Sequence, residues 1–144
     1  SQMLAELKEK QRLLAQAESK QLLAMVPELM ERIQEVGKGK LLATRISEIS
    51  SPESLRDLTI ALRDRVQNDN AVVVLCGVIN GKPNISVAVT RRAQEQGVKA
   101  GEIVKLASAI LGGGGGGKAD LAQGAGTDVS KIELALAEIA KSLG

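Results

Sequence analysis

Ala71-Val72-Val73-Val74-Leu75-Cys76-Gly77-Val78-Ile79-Asn80-Gly81-Lys82-Pro83-Asn84-Ile85-Ser86-Val87-Ala88-Val89 is the stretch on which the fold turns. Its first nine residues are almost continuously apolar and rich in valine, the pattern of a strand buried on both faces. The residues from Asn84 to Val89 alternate in polarity, the period of a second strand. Between them Asn80-Gly81-Lys82-Pro83 predicts a tight hairpin, because Asn-Gly accepts the positive φ angles that such turns need. Two central antiparallel strands are therefore expected. The lone cysteine, Cys76, falls inside the first of them and reads as a small buried hydrophobe.

Upstream, Lys40 to Ile49 predicts another strand. Ser51-Pro52 predicts a helix start, with serine as the cap and proline at the first helical position. Leu55, Leu58, Leu62 and Val66 then form its buried stripe, and Asn68-Asp69-Asn70 stops it. Downstream, a helix is expected from Ala100 to Leu111, followed by a glycine-rich loop, Gly112 to Gly117. A last helix buries Val129, Ile132, Leu136, Ile139 and Leu143, with Gly144 as its C-cap. A short extended segment around Leu121 to Ala125 is expected to add an edge strand. The order predicts an α/β (α+β) fold, a small mixed sheet with packed helices whose first crossover is right-handed.

Residues 1–36 read as a helical arm that precedes this body. Leu4, Leu7 and Leu14 form one stripe, interrupted by Gln11 and Glu18. Leu22, Val26, Leu29, Ile33 and Val36 form a second stripe out of register with it. Pro27 removes an amide donor, so two helices meeting near Ala24 to Pro27 are expected rather than one rod. The domain reading is 1–37 as helical arm or partial coiled coil, and 38–144 as globular body. Leu22, Val26, Leu29 and Ile33 are the candidate dimerisation residues, with packing on the chain's own body as the alternative.

Six consecutive glycines are a local liability in a compact domain, since glycine loses more conformational freedom on folding than any other residue. Bare backbone there can wrap an anion or let another surface approach closely. A flexible linker fits poorly between two helix-patterned segments. A nucleotide-binding P-loop fits poorly too. The spacing from Gly112 to Gly117-Lys118 matches, but Ala119 stands where magnesium needs a hydroxyl, and a helix rather than a strand precedes the run.

The chain has 144 residues, a net charge of +2, and no Phe, Tyr, Trp or His. Lack of histidine removes Ser-His-Asp, Cys-His and imidazole-metal chemistry, so the chain alone is expected to be non-catalytic, with no cofactor and no metal. A single cysteine excludes an internal disulfide framework and favours a reducing, cytoplasmic location. No apolar run is long enough for a membrane span. Charge is uneven: residues 37–118 hold twelve basic and seven acidic groups, whereas both flanks are net acidic.

The glycine run with Lys118, Ala119-Asp120-Leu121-Ala122-Gln123 and Gly124-Ala125-Gly126 resembles the signature of the C-terminal domain of alanyl-tRNA synthetases. Lys40-Leu41-Leu42-Ala43-Thr44-Arg45-Ile46, Leu55-Arg56-Asp57-Leu58, Val72 to Leu75 and Ala100 to Lys105 resemble the same domain in order and spacing. The resemblance covers residues 40–144 well and the arm more weakly. It implies a tRNA-binding module carried after the aminoacylation and editing domains. Such a module contacts the outer corner of tRNA and dimerises through its helices in some members. The globular fold is shared with DHH-family phosphoesterases, whose version places histidine just after the glycines. That histidine is missing here. The synthetase version usually has one non-glycine residue in the run and often arginine where Lys118 stands; lysine keeps the charge but lacks the planar fork.

On this resemblance the candidate RNA-binding residues are Gly112, Gly113, Gly114, Gly115, Gly116 and Gly117 with Lys118, Lys99, Arg91, Arg92, Arg45 and Gln123. RNA is read through phosphates, 2′-hydroxyls and unstacked bases, and without aromatic rings only arginine planes can stack. A single surface arginine is by default a solvated or ion-paired side chain. Asp120 is expected to cap a helix or brace the loop rather than to bind metal. A purely structural dimerisation module and a phosphoesterase substrate domain are the competing functions.

Overall fold

The computed structural model describes residues 2–37, 39–47 and 49–144, the side chains of residues 2, 3, 15, 18 and 19 apart. Lys38, where the body was expected to begin, and the side chain of Glu18 lie outside the described residues. In chain order the elements are α1 (Gln2–Leu23), α2 (Val26–Met30), β1 (Gln34–Val36), β2 (Gly39–Ile46), α3 (Pro52–Arg65), β3 (Ala71–Ile79), β4 (Lys82–Val89), α4 (Arg91–Glu95), α5 (Ala100–Ile110), β5 (Gly114–Gly117), β6 (Leu121–Ala125) and α6 (Ile132–Leu143).

The hairpin forms as its sequence demands. Asn80 and Gly81 have φ of 52° and 76°, and Val72 to Ile79 pair antiparallel with Val89 to Lys82. Around it the strands lie in the order β1-β2-β3-β4-β6-β5. β2 and β3 are parallel, joined by α3, and the other pairs are antiparallel.

Two apolar layers flank the sheet. Val72, Val74, Cys76, Ile85, Val87 and Val89 face α5 and α6. Leu42, Ile46, Val73 and Leu75 face α3, α2 and the last turn of α1. α3 begins as expected: Ser51 Oγ accepts the Ser54 N–H at 3.1 Å, a cap worth about 1 kcal/mol. Its Leu55, Leu58 and Leu62 are at most 1% exposed, each contributing roughly 1.5–3 kcal/mol by leaving water.

Four expectations need correction. Helix was expected through Val36, but the chain turns at Glu31-Arg32 and residues 34–36 pair with β2; sheet pairing overrides helix propensity here. The stripe expected to face a second copy is filled by this chain's own body. Leu22, Val26 and Leu29 are 1–4% exposed within the α3 layer, and Ile33 packs against its side. Four of the six glycines, Gly114–Gly117, are strand rather than loop. Finally, residues 121–125 form an interior strand, because β5 continues the sheet beyond them. The break between α1 and α2 falls where Pro27 placed it.

Candidate nucleic-acid interface

Gly114 to Gly117 pair antiparallel with Ala125 to Ala122, which makes β5 the outermost strand. Its glycines divide by face. Gly115 and Gly124 lie against α5: a Cβ on Gly115 would come within 2.9 Å of Val104 Cγ1, and one on Gly124 would collide with Ser108 Oγ. Close packing of helix on sheet requires bare backbone there. On the opposite face a Cβ on Gly114 or Gly116 would meet nothing within 4 Å. Packing within the chain does not account for those two glycines.

That open face is continuous with β6. Gly116 is paired with Gln123 and Gly114 with Ala125, and Gln123 Nε2 donates to the Pro52 carbonyl at 2.9 Å. The start of α3 therefore borders the track through Gln123, opposite Gly116, while the rest of α3 covers β3 and β4. Gly114, Gly115 and Gly117 are exposed and Gly116 is half-buried, in a strip of peptide planes about 14 Å long.

The Gly117 end of the track is basic. Lys118 follows β5 directly, and its N–H donates to Leu121 O at 3.0 Å. The amides of Ala100 and Gly101 donate to Ala119 O and Lys118 O at 2.9 and 3.1 Å. These bonds satisfy the first turn of α5 and bring Lys99, its N-cap residue, beside Lys118. Val89 N donates to Asp120 O at 2.9 Å, so Asp120 braces the loop through its backbone. The same bond places Arg91 and Arg92, which open α4, at this end of the sheet. All four cations are exposed. Arg91 lies 3.8 Å from Glu95 in an exposed pair, of little energetic weight. Arg92, Lys99 and Lys118 make no ion pair among the described residues.

Arg45 does not join this cluster. It lies on β2, four strand spacings from β5, roughly 19 Å, and toward the opposite end of the sheet. Gly101, Ser108 and Gly124 are the small residues that let α5 approach β5 and β6; the sequence showed Gly101 and Gly124 only as parts of longer motifs, with no sign of this packing role. Among the described residues no three His, Cys, Asp or Glu side chains are grouped to hold a metal ion. No helix among them is long and apolar enough to cross a membrane.

This architecture, a mixed sheet finished by a glycine strand that packs on a helix, is that of a DHHA1 domain, and the DHHA1 domain family model matches residues 38–144. The chain is 39% identical over 142 residues to an alanine–tRNA ligase of Leifsonia xyli, covering 99% of this chain and 16% of that protein. It is 43% identical over 136 residues to that of Renibacterium salmoninarum, covering 94% of the chain and 15% of the relative. The chain thus spans about a sixth of the length of these relatives. Among solved structures it is similar to the C-Ala domain of Aquifex aeolicus alanyl-tRNA synthetase, with 32% identity, a TM-score of 0.69, and coverage of 77% of this chain and 96% of that one. A DHH-domain protein described as a member of the s1p family of ribosomal proteins shares the fold at 15% identity and a TM-score of 0.61, with coverage of 97% of this chain and 31% of that one. The chain belongs to the DHHA1 family, in the branch of alanyl-tRNA synthetase C-Ala domains.

Proposed function

We propose that the chain is a tRNA-binding module that receives the outer corner of folded tRNA on the glycine track and so assists aminoacylation and editing by a longer synthetase. The observation that carries this reading is the open face of Gly114 and Gly116. Glycine is a poor strand residue, and at these two positions no neighbour demands it. A close-approaching partner supplies the missing reason. Lys118, Lys99, Arg91 and Arg92 at one end give the track the charge that a phosphate backbone needs. The surface reads shape rather than sequence, since peptide planes and long cations carry little base-edge code. The domain is non-catalytic by itself. The match leaves about five-sixths of the length of its ligase relatives outside it.

The test is binding to folded alanine tRNA and to an equally long hairpin lacking the D-loop and T-loop corner, across a salt series. Preference for the tRNA is expected, and Lys118→Ala should lower the slope of log affinity against log salt by roughly 0.7–0.9. Equal weak binding to both RNAs would reduce the reading to general electrostatics.

A second reading has its own observation. Leu4, Leu7 and Leu14 on α1 are 51–70% exposed, and this apolar face is suited to pairing with α1 of a second copy. Sedimentation of Leu7→Glu and Leu14→Glu variants tests it; an unchanged mass would exclude α1 as a dimer seam.

A further inference from the structure

The sheet has a second open edge on the side opposite the glycine strand. β1 pairs only with residues 39–41 of β2, so among the described residues no strand pairs with residues 42–46 there. The direction of their backbone groups follows from one bond. Lys40 N donates to Asn70 O at 2.8 Å within the parallel β2–β3 ladder. Even-numbered residues of β2 therefore turn N–H and C=O toward β3, and odd-numbered ones turn theirs toward β1. Gln34 and Val36 stand opposite Leu41 and Gly39. Ala43 and Arg45 face outward into a groove of about 480 Å³.

The groove has two unlike walls. On one side Arg32 donates to Thr44 Oγ1 at 3.1 Å and reaches Glu28 only at 3.9 Å, both side chains being more than half exposed. On the other, α6 contributes Leu136, Ala137 and Ala140, with Glu133 at the rim. Arg45 is exposed and makes no ion pair among the described residues.

We propose that this half-edge takes an extended peptide segment of alternating acidic and small apolar residues, added as an outer strand beside β2. An added strand turns successive side chains to opposite faces, so acidic residues meet Arg32 while apolar ones fill the space over Ala137 and Ala140. Backbone donors and acceptors at Ala43 and Arg45 suit a peptide, which offers both kinds, and the main-chain ladder supplies the affinity. A phosphate backbone offers acceptors alone and would face the edge carbonyls and Glu133. Residues 42–46 contain no proline, and Arg45 is the one charged side chain among them. The site lies across the sheet from the glycine track, so both can be occupied together.

The probe is a short acetylated peptide of alternating valine and glutamate, with amide exchange of the protein followed by NMR. In the free protein the Ala43 and Arg45 amides should exchange faster than those of Leu42 and Thr44. Saturating peptide should slow them by about tenfold. Arg32→Glu, with melting behaviour confirming its fold, should abolish that protection, and so should N-methylation of alternate peptide nitrogens. Slow exchange in the free protein, absent protection, or equal binding by the N-methylated peptide would overturn the proposal. Protection of these two amides by folded tRNA instead of the peptide would also overturn it and assign the edge to RNA.

Discussion

Cys76 stands in the middle of β3, fully enclosed. Burial pushes its thiol up from the ordinary 9.0 to about 12, with the charge of Glu133 adding to the rise and that of Arg45 opposing it. A raised thiol pKa keeps the folded side chain neutral where the unfolded one ionises. Its contribution to stability is therefore constant below pH 9 and is lost as pH climbs from 9 toward 12. Chemical denaturation at a series of alkaline pH values should follow that decline in the native chain and lose the Cys76 part of it in Cys76→Ala, while a thiol reagent at pH 8 should label Cys76 only on unfolding. Single glycines in the track give sharper contrasts. Gly115→Ala places a methyl against Val104 and Gly124 and should cost about 1–3 kcal/mol by overpacking, measured by urea unfolding. A Cβ at Gly116 meets nothing within 4 Å, so Gly116→Val should hold or raise stability through strand propensity. Its RNA affinity should nevertheless fall by about tenfold, roughly 1.4 kcal/mol. Unchanged binding by Gly116→Val would remove the reason offered for that glycine.

Elements carry a different kind of information. α1 is one helix with two fates along its length. Its last turn is tied into the body through Leu22, while Leu4, Leu7, Leu13 and Leu14 remain exposed. Leu22→Ala and Leu29→Ala should each lower stability by about 2–5 kcal/mol, read as a falling melting temperature rather than as dissociation of a dimer. A melting temperature that stays put while sedimentation shifts would restore those leucines to a seam between copies. The hydrophobic spacing of this segment was plain in the sequence; which surface it faces was not, because an apolar stripe reports burial without naming the partner. β5 is the opposite case. Glycine has no side chain to show a period of two, so the run carries the composition of a loop, and pairing with β6 under α5 makes it a strand. The short α4 and β1 were missed for a related reason, since five and three residues are too few to display a repeat.

At the scale of the molecule, the six-stranded sheet separates two edges by about 19 Å: the bare glycine edge with its basic end, and the half-open edge of β2 with Arg32 and Arg45. Charge on the chain is nearly balanced, yet Arg91, Arg92, Lys99 and Lys118 come from three separate segments and meet at one end of the sheet. Reducing that concentration should matter more than reducing total charge. Lys99→Ala together with Lys118→Ala is expected to weaken tRNA binding more than removal of two lysines from elsewhere, such as Lys8 and Lys141, with the salt slope as the readout. The sequence alone determined the strands at 71–79 and 84–89, their Asn-Gly turn, the capped α3 with its leucine stripe, the last helix, and the absence of histidine chemistry. Each of these rests on contacts between near neighbours or on composition, which the chain displays in order. Only the tertiary structure decided that the glycine run is an edge strand with one packed and one empty face. It also decided that Leu22, Val26 and Leu29 close the chain's own core, and that Arg45 stands apart from the other candidate cations. Those outcomes depend on which distant segments meet, and pairing across a sheet leaves no mark in the local order of residues.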